Sequence, residues 1–167
     1  YALIDLQLSG ITDILVLRGD KCKHDTNTAP LKSGNCHAID LIHQVNRFNE
    51  GFFSDGSAMK DIGERFSYGV ACYPEKHEEA PNMDSDLAVL KQKVDAGAEY
   101  AVTQMFFDNS KYFAFVERAR AMGINVPIIP SIKPIHRMSQ LNILPKTFRV
   151  DLPCELVAEL TKCKNDD

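Results

Sequence analysis

Apolar and polar residues alternate along this 167-residue chain with two different periods. Short runs of β-branched residues and leucine separate longer stretches in which apolar side chains recur every three or four positions. The first pattern buries a strand; the second gives a helix one apolar stripe. Residues 1–9, with Leu3, Ile4, Leu6 and Leu8, read as the end of a helix closed by Gly10. Ile11–Leu17 reads as a strand running into Arg18-Gly19-Asp20. Residues 21–36 contain Pro30, Gly34 and several lysines and are predicted to form a long loop. Helical spacing returns over His37–Phe48 through Ile39, Ile42, Val45 and Phe48, and residues 49–65, rich in Gly, Ser and Asp, are expected to be irregular.

The second half repeats the alternation. Phe66–Tyr73 reads as a strand stopped by Pro74. Asp84–Ala98 has the clearest helical stripe, Leu87, Leu90, Val94 and Ala98, with Gly97 near its end. Tyr100–Phe107 is a third predicted strand, and Asp108-Asn109-Ser110 supplies a helix start. Tyr112, Phe115, Val116, Ala119 and Met122 share the stripe of that helix, which Gly123 ends. Val126–Ile132 is the fourth predicted strand; Pro134 opens a loop, and weaker helices are expected near 136–143 and 153–163.

Strands alternating with helices specify an α/β fold, a parallel sheet with crossover helices. Open doubly wound sheets and (β/α)8 barrels both bind ligands at the carboxyl ends of strands. Polar residues gather at those ends: Asp20, Tyr73 to His77, Gln104 to Asp108, and Lys133. No G-x-G-x-x-G fingerprint occurs among the scattered glycines, which favours a barrel. Four to five βα units form only part of a (β/α)8 TIM barrel, for which about 250 residues are typical. Residues 1–167 are therefore expected to be a single but incomplete domain. The opening at Tyr1, already inside an amphipathic stretch, suggests a segment of a longer polypeptide.

Composition narrows the class. Hydrophobic residues are 44% and charged residues 25%, as in soluble globular proteins. A net charge of −4 with interspersed signs gives no basic footprint for nucleic acid or an anionic membrane. The five cysteines, Cys22, Cys36, Cys72, Cys154 and Cys163, are irregularly spaced without C-x-x-C, which suggests reduced thiols. No apolar run approaches the roughly 20 residues of a membrane span, and the N-terminus has no signal-peptide pattern. A cytoplasmic protein is expected.

Several residues have the chemistry to bind a ligand, each with a structural use as well. Asp20, at a strand end, could accept hydrogen bonds from a ligand or favour a developing cation, or satisfy amides of its own loop. Tyr73 could pack on a flat ligand beside His77, or pack in the core with His77 on the surface. Asp86, Val89 and Lys93 share one side of a helix, where Lys93 could reach a phosphate and Asp86 a sugar hydroxyl, or both form a solvated face. Gln104 lies within the third predicted strand, where its amide would suit a heterocycle edge or neighbouring strands. Lys133 could form an imine, although a lysine before proline is a common loop residue. The five histidines, His24, His37, His43, His77 and His136, have no metal-ligand spacing.

Five stretches carry a family resemblance: residues 13–20 (DILVLRGD), 69–77 (GVACYPEKH), 90–98 (LKQKVDAGA), 103–108 (TQMFFD) and 128–134 (IIPSIKP). In this order and spacing, the chain resembles the methylenetetrahydrofolate reductases over nearly its whole length. The resemblance implies a (β/α)8 barrel carrying FAD, with this segment supplying about strands four to seven. It also implies reduction of 5,10-methylenetetrahydrofolate to 5-methyltetrahydrofolate, with NADH or NADPH as hydride donor. On the same resemblance, the folate ring would open to an iminium that takes hydride from the flavin.

Residue by residue, Arg18, Gly19 and Asp20 match flavin-contacting positions, with Asp20 also near the folate and able to favour the iminium. Ala38, Tyr73, His77, Ala80, Asp86 and Lys93 match further FAD-lining positions; Gln104 and Gln140 match folate-contacting glutamines. Cys72 and Ser131 stand where smaller residues are expected, and Val89 replaces a polar FAD contact of some members. The family's general acid is a glutamate on the first strand, before any residue of this chain. The alternative expectation is thus a non-catalytic flavin-binding barrel fragment lacking that glutamate. A half-barrel with an exposed sheet edge and apolar faces is also expected to associate as a homo-oligomer.

Overall fold

The computed structural model describes residues 2–18, 35 and 37–163. Strands and helices alternate from α1 (Ala2–Leu8) through β1 (Asp13–Val16), α2 (Ala38–Asn49), β2 (Ser67–Cys72), α3 (Met83–Asp95) and β3 (Tyr100–Thr103). They continue with α4 (Asn109–Ala121), β4 (Ile128–Ile129), α5 (Gln140–Phe148) and α6 (Cys154–Lys162). The strand order is β1-β2-β3-β4, so each βα step adds the next neighbour. Pairing is parallel, with Asp13 opposite Ser67 and Val16 opposite Val70, and with Ala101 opposite Ile128. This is the α/β architecture expected from the alternating periods. Among the described residues no helix is long and apolar enough to cross a membrane.

The chain divides into two units, one comprising Tyr1–Ala71 with Gln92–Tyr100 and the other Cys72–Lys91 with Ala101–Asp167. In the first, Ile42, Val45 and Phe48 of α2 are buried together with Val16, Phe66, Tyr68 and Val70. Two asparagines of α2 hold the polar groups of this core. Asn49 donates to the Phe66 carbonyl at 2.9 Å and accepts from its N–H at 2.8 Å. Asn46 accepts from the Tyr68 hydroxyl at 2.8 Å and donates to the Ala96 carbonyl at 2.7 Å. Burial of the Tyr68 phenol raises its pKa, against the lowering effect of the Asn46 hydrogen bond.

In the second unit Leu87 and Leu90 of α3, Phe115 and Ala119 of α4, and Ile124, Ile128, Leu144 and Val150 are buried. The predicted stripe of α4 is correct at Phe115 and Ala119, but Met122 lies past the helix and is exposed. β3 ends at Thr103, not Phe107. Gln104 still donates its N–H to the Cys72 carbonyl at 2.8 Å; its side-chain oxygen then takes the Met105 N–H at 3.0 Å, which turns the chain off the ladder. β4 is confined to two residues because Pro127 and Pro130 flank it and neither can donate to a ladder. The Thr103 hydroxyl takes over where the ladder stops, accepting from Ser131 N–H at 2.9 Å.

Candidate functional site

The loop following β2 is held at nearly every residue. Tyr73 carbonyl accepts from Lys76 N–H at 3.0 Å, closing a tight turn with Pro74 and Glu75 at its centre. Proline fixes its own φ and so prepares that turn. Lys76 then adopts a left-handed backbone, φ 77°, which costs a residue with a Cβ about 1 kcal/mol. Its ammonium offsets this by donating to the carbonyls of His77 at 2.9 Å and Ala80 at 2.6 Å. Ala80 N–H returns to the His77 carbonyl at 3.0 Å. The departure from ordinary backbone geometry is therefore supported on both sides of His77.

His77 is fixed in both position and tautomer. Its backbone N–H donates to Asp86 Oδ2 at 2.9 Å, and its ring Nδ1 accepts from Glu79 N–H at 3.1 Å. An accepting Nδ1 leaves the proton of the neutral imidazole on Nε2, which becomes a donor. The His77 and Tyr73 rings meet edge to face, with centroids 4.7 Å apart. Asp86, in the first turn of α3, keeps Oδ1 without a hydrogen bond among the described residues. The half-buried Tyr73, His77, Ala80 and Asp86 thus form one constellation at the carboxyl end of β2.

Gln104 and Gln140 show a shared polarity. Gln104, half-buried just beyond β3, has its side-chain oxygen engaged by Met105 N–H. Gln140 opens α5, and its oxygen accepts from His136 N–H at 2.7 Å and Arg137 N–H at 3.0 Å. In both cases the amide nitrogen is the end left to offer donors. Lys133 is exposed in the loop after β4.

In the other unit, Lys93 Nζ donates to the Ala71 carbonyl, near the end of β2, at 3.4 Å. Lys93 lies on α3 two turns beyond Asp86, and both are half-buried, whereas Val89 between them is 45% exposed. Ala38 is the first residue of α2, where Asp40 accepts from His37 N–H at 2.8 Å. Arg18 is half-buried two residues after β1, and Gly19 and Asp20 lie outside the described residues.

One group of residues was not singled out by spacing. Glu75, whose side chain is only 9% exposed, accepts from Lys111 Nζ at 2.9 Å and from Asp151 N–H at 2.8 Å. Lys111 also pairs with the Asp151 carboxylate. Burial works against the Lys111 ammonium, but hydrogen bonds to Asp151 and Glu75 outweigh it and hold the pKa above the ordinary lysine value. Arg149, at φ 56°, adds an exposed pair to Glu78 at 3.5 Å. Glu75 sits between Tyr73 and His77 in the sequence, so the motif contained it; its partners are 36 and 76 residues away.

The family model for methylenetetrahydrofolate reductase matches residues 1–167. Methylenetetrahydrofolate reductase 2 of Saccharomyces cerevisiae is 36% identical over 168 residues, covering 99% of this chain and 26% of the yeast protein. Methylenetetrahydrofolate reductase (NADH) 1 of Arabidopsis thaliana is 33% identical over 176 residues, covering 100% of this chain and 28% of the plant protein. The 5,10-methylenetetrahydrofolate reductase of Pectobacterium carotovorum subsp. carotovorum is 36% identical over 160 residues, covering 95% of this chain and 46% of its own. The chain thus spans about a quarter of the first two relatives and less than half of the third. On this match, which runs through every residue of the site just described, the chain belongs to the methylenetetrahydrofolate reductase family.

Proposed function

We propose that this chain is part of the catalytic (β/α)8 TIM barrel of an FAD-dependent enzyme that reduces 5,10-methylenetetrahydrofolate to 5-methyltetrahydrofolate with NADH or NADPH. The observation that carries the reading is the fixed loop after β2, which presents the Tyr73 ring beside a His77 Nε2 donor and an Asp86 oxygen. An aromatic face with a donor and an acceptor at its edge has the chemistry to hold a flat heterocycle and a sugar hydroxyl. Arg18, Gly19, Asp20, Ala38, Ala80 and Lys93 are the further residues proposed to hold FAD, with Lys93 a point charge for phosphate. FAD, when bound, would supply the carrier that passes hydride from the nicotinamide to the folate.

The chain's own residues then divide the work. Gln104 and Gln140 offer amide donors to the folate while their oxygens are held by backbone N–H groups. Asp20 supplies a negative charge that favours the iminium of the opened folate ring, an electrostatic effect that needs no proton transfer. A cytoplasmic setting is part of the same reading. Residues 1–167 act as one domain in this reading, and the parent enzyme forms a homo-oligomer.

The test is made on the protein in its full natural length. It should carry a yellow chromophore released as FAD and should oxidise NADH or NADPH with a quinone acceptor. A colourless protein that FAD cannot reconstitute would overturn the proposal. In Asp20→Asn the flavin is expected to stay bound while the folate half-reaction slows more than the nicotinamide half-reaction. Equal slowing of the two would remove the iminium-stabilising role.

A further inference from the structure

We infer that Glu75 is a positioning residue for the cofactor pocket, its largely buried carboxylate fastening the Tyr73–Ala80 loop to α4 and to the backbone at Asp151. The inference rests on the proposal that Tyr73 and His77 line that pocket. Glu75 is two residues from each of them, at the centre of the turn closed by Lys76 N–H and Tyr73 carbonyl. One of its oxygens accepts from Lys111 at 2.9 Å and the other from Asp151 N–H at 2.8 Å. A buried carboxylate needs such partners, because an unpaired charge at 9% exposure is strongly disfavoured.

The two attachments come from different elements. Lys111 lies in the first turn of α4, and Asp151 lies between α5 and α6, beside buried Val150. The turn is thereby fixed against two anchors, and the Tyr73 ring and His77 Nε2 inherit its orientation. Within the loop Lys76 fixes His77 to its neighbours, and Asp86 ties it to the first turn of α3. Glu75 and Glu78 both join the loop to α4 or to residues 149–151, and the Glu78–Arg149 pair is exposed on both sides, whereas the Glu75 side chain is 9% exposed. Loss of Glu75 removes the less exposed of these two attachments and would let the loop shift relative to α4. A displacement of that kind weakens a ligand's fit without unfolding the protein.

Glu75→Gln keeps the shape but has one acceptor oxygen for two donors, and Lys111→Met removes the cation. In the full-length protein each is expected to raise the FAD dissociation constant about tenfold and to change the visible circular dichroism of the bound flavin. Lys111→Arg, which can still reach both carboxylates, is expected to restore both readouts. The double variant should bind FAD no more weakly than the worse single one, since both substitutions break one network. A purely stabilising role would lower the melting temperature of the apoprotein yet leave flavin affinity and dichroism unchanged in all variants, and that result would overturn the inference. Should Glu75→Gln fail to fold, Lys111→Met and Lys111→Arg carry the test alone. Wild-type protein that binds no FAD would instead sink the functional reading itself, before any variant is compared.

Discussion

A Cβ placed on Gly69 would lie 2.0 Å from Cε2 of Tyr100 and 2.4 Å from Cδ2 and Cζ of that ring. Gly69 is buried in β2, and the Tyr100 hydroxyl donates to the Ile14 carbonyl at 3.1 Å, so the ring cannot swing aside without breaking a bond. Gly69→Ala should cost about 1–3 kcal/mol of overpacking strain. Urea unfolding measures it, and Tyr100→Ala in the same chain should return part of the loss. A change below about 0.5 kcal/mol would mean that the ring yields freely. This contact illustrates what single residues concealed. Glycine in a strand signals close approach, but the neighbour that requires it lies 31 positions on and is unmarked in the sequence. Glu75 is the same case: its place between Tyr73 and His77 was visible, whereas its pairing with Lys111 and Asp151 depends on the fold. Asp86 was legible as a site candidate through its helical spacing. That one of its oxygens is spent on His77 N–H was not.

Elements were legible wherever local chemistry and burial agreed. α4 begins where Asp108 was expected to cap it, with the carboxylate accepting from Ser110 N–H at 2.8 Å and from its hydroxyl at 2.6 Å. Those two bonds, the hydroxyl first, hold the Asp108 pKa below the ordinary aspartate value. The folded state therefore binds fewer protons than the unfolded chain in the acid range, and stability rises with pH there. The stabilisation is complete above the ordinary aspartate range and is lost as pH falls through the folded value. Melting temperatures of wild type and Asp108→Ala should accordingly differ at neutral pH and converge on acidification. A gap that widens as pH falls would contradict this. α5 was misplaced for an equally local reason. Its predicted span, 136–143, stopped ahead of Pro145, yet the helix runs from Gln140 to Phe148 and contains that proline. The Gln140 side chain gathers the N–H groups of His136 and Arg137 into a turn before the helix, and Arg149 ends it in a left-handed conformation. Periodicity registers neither effect, since one depends on a side chain replacing backbone and the other on a left-handed backbone.

At the scale of the whole molecule, the strand order leaves β1 and β4 each with a single neighbour among the described residues. Both lie among exposed apolar side chains: Leu15 at 42% and Leu17 at 49% in and after β1, Ile129 at 46% in β4, and Ile132 at 84% just beyond it. A natural edge strand carries charge, proline or a bulge to discourage pairing; β4 has a proline on each side, whereas β1 has one charge, Asp13 at its start, and then presents Leu15. The proposed barrel accounts for this, because closure would cover the face on which Leu15 lies and remove the edge. The two environments make opposite demands on one substitution. If Leu15 faces solvent, Leu15→Lys should change stability by less than about 0.5 kcal/mol and reduce self-association by placing a charge on the edge. If Leu15 is inside a closed barrel, the same lysine is buried without a partner and should cost about 2 kcal/mol or more. Residues 1–167 expressed alone should therefore associate, with an average mass in sedimentation velocity that rises with concentration and falls back in Leu15→Lys. The same substitution in the full-length protein should lower its melting temperature and release flavin. Equal tolerance of lysine in both forms would show that β1 remains an edge in the parent protein, and the barrel would have to be replaced by an open sheet.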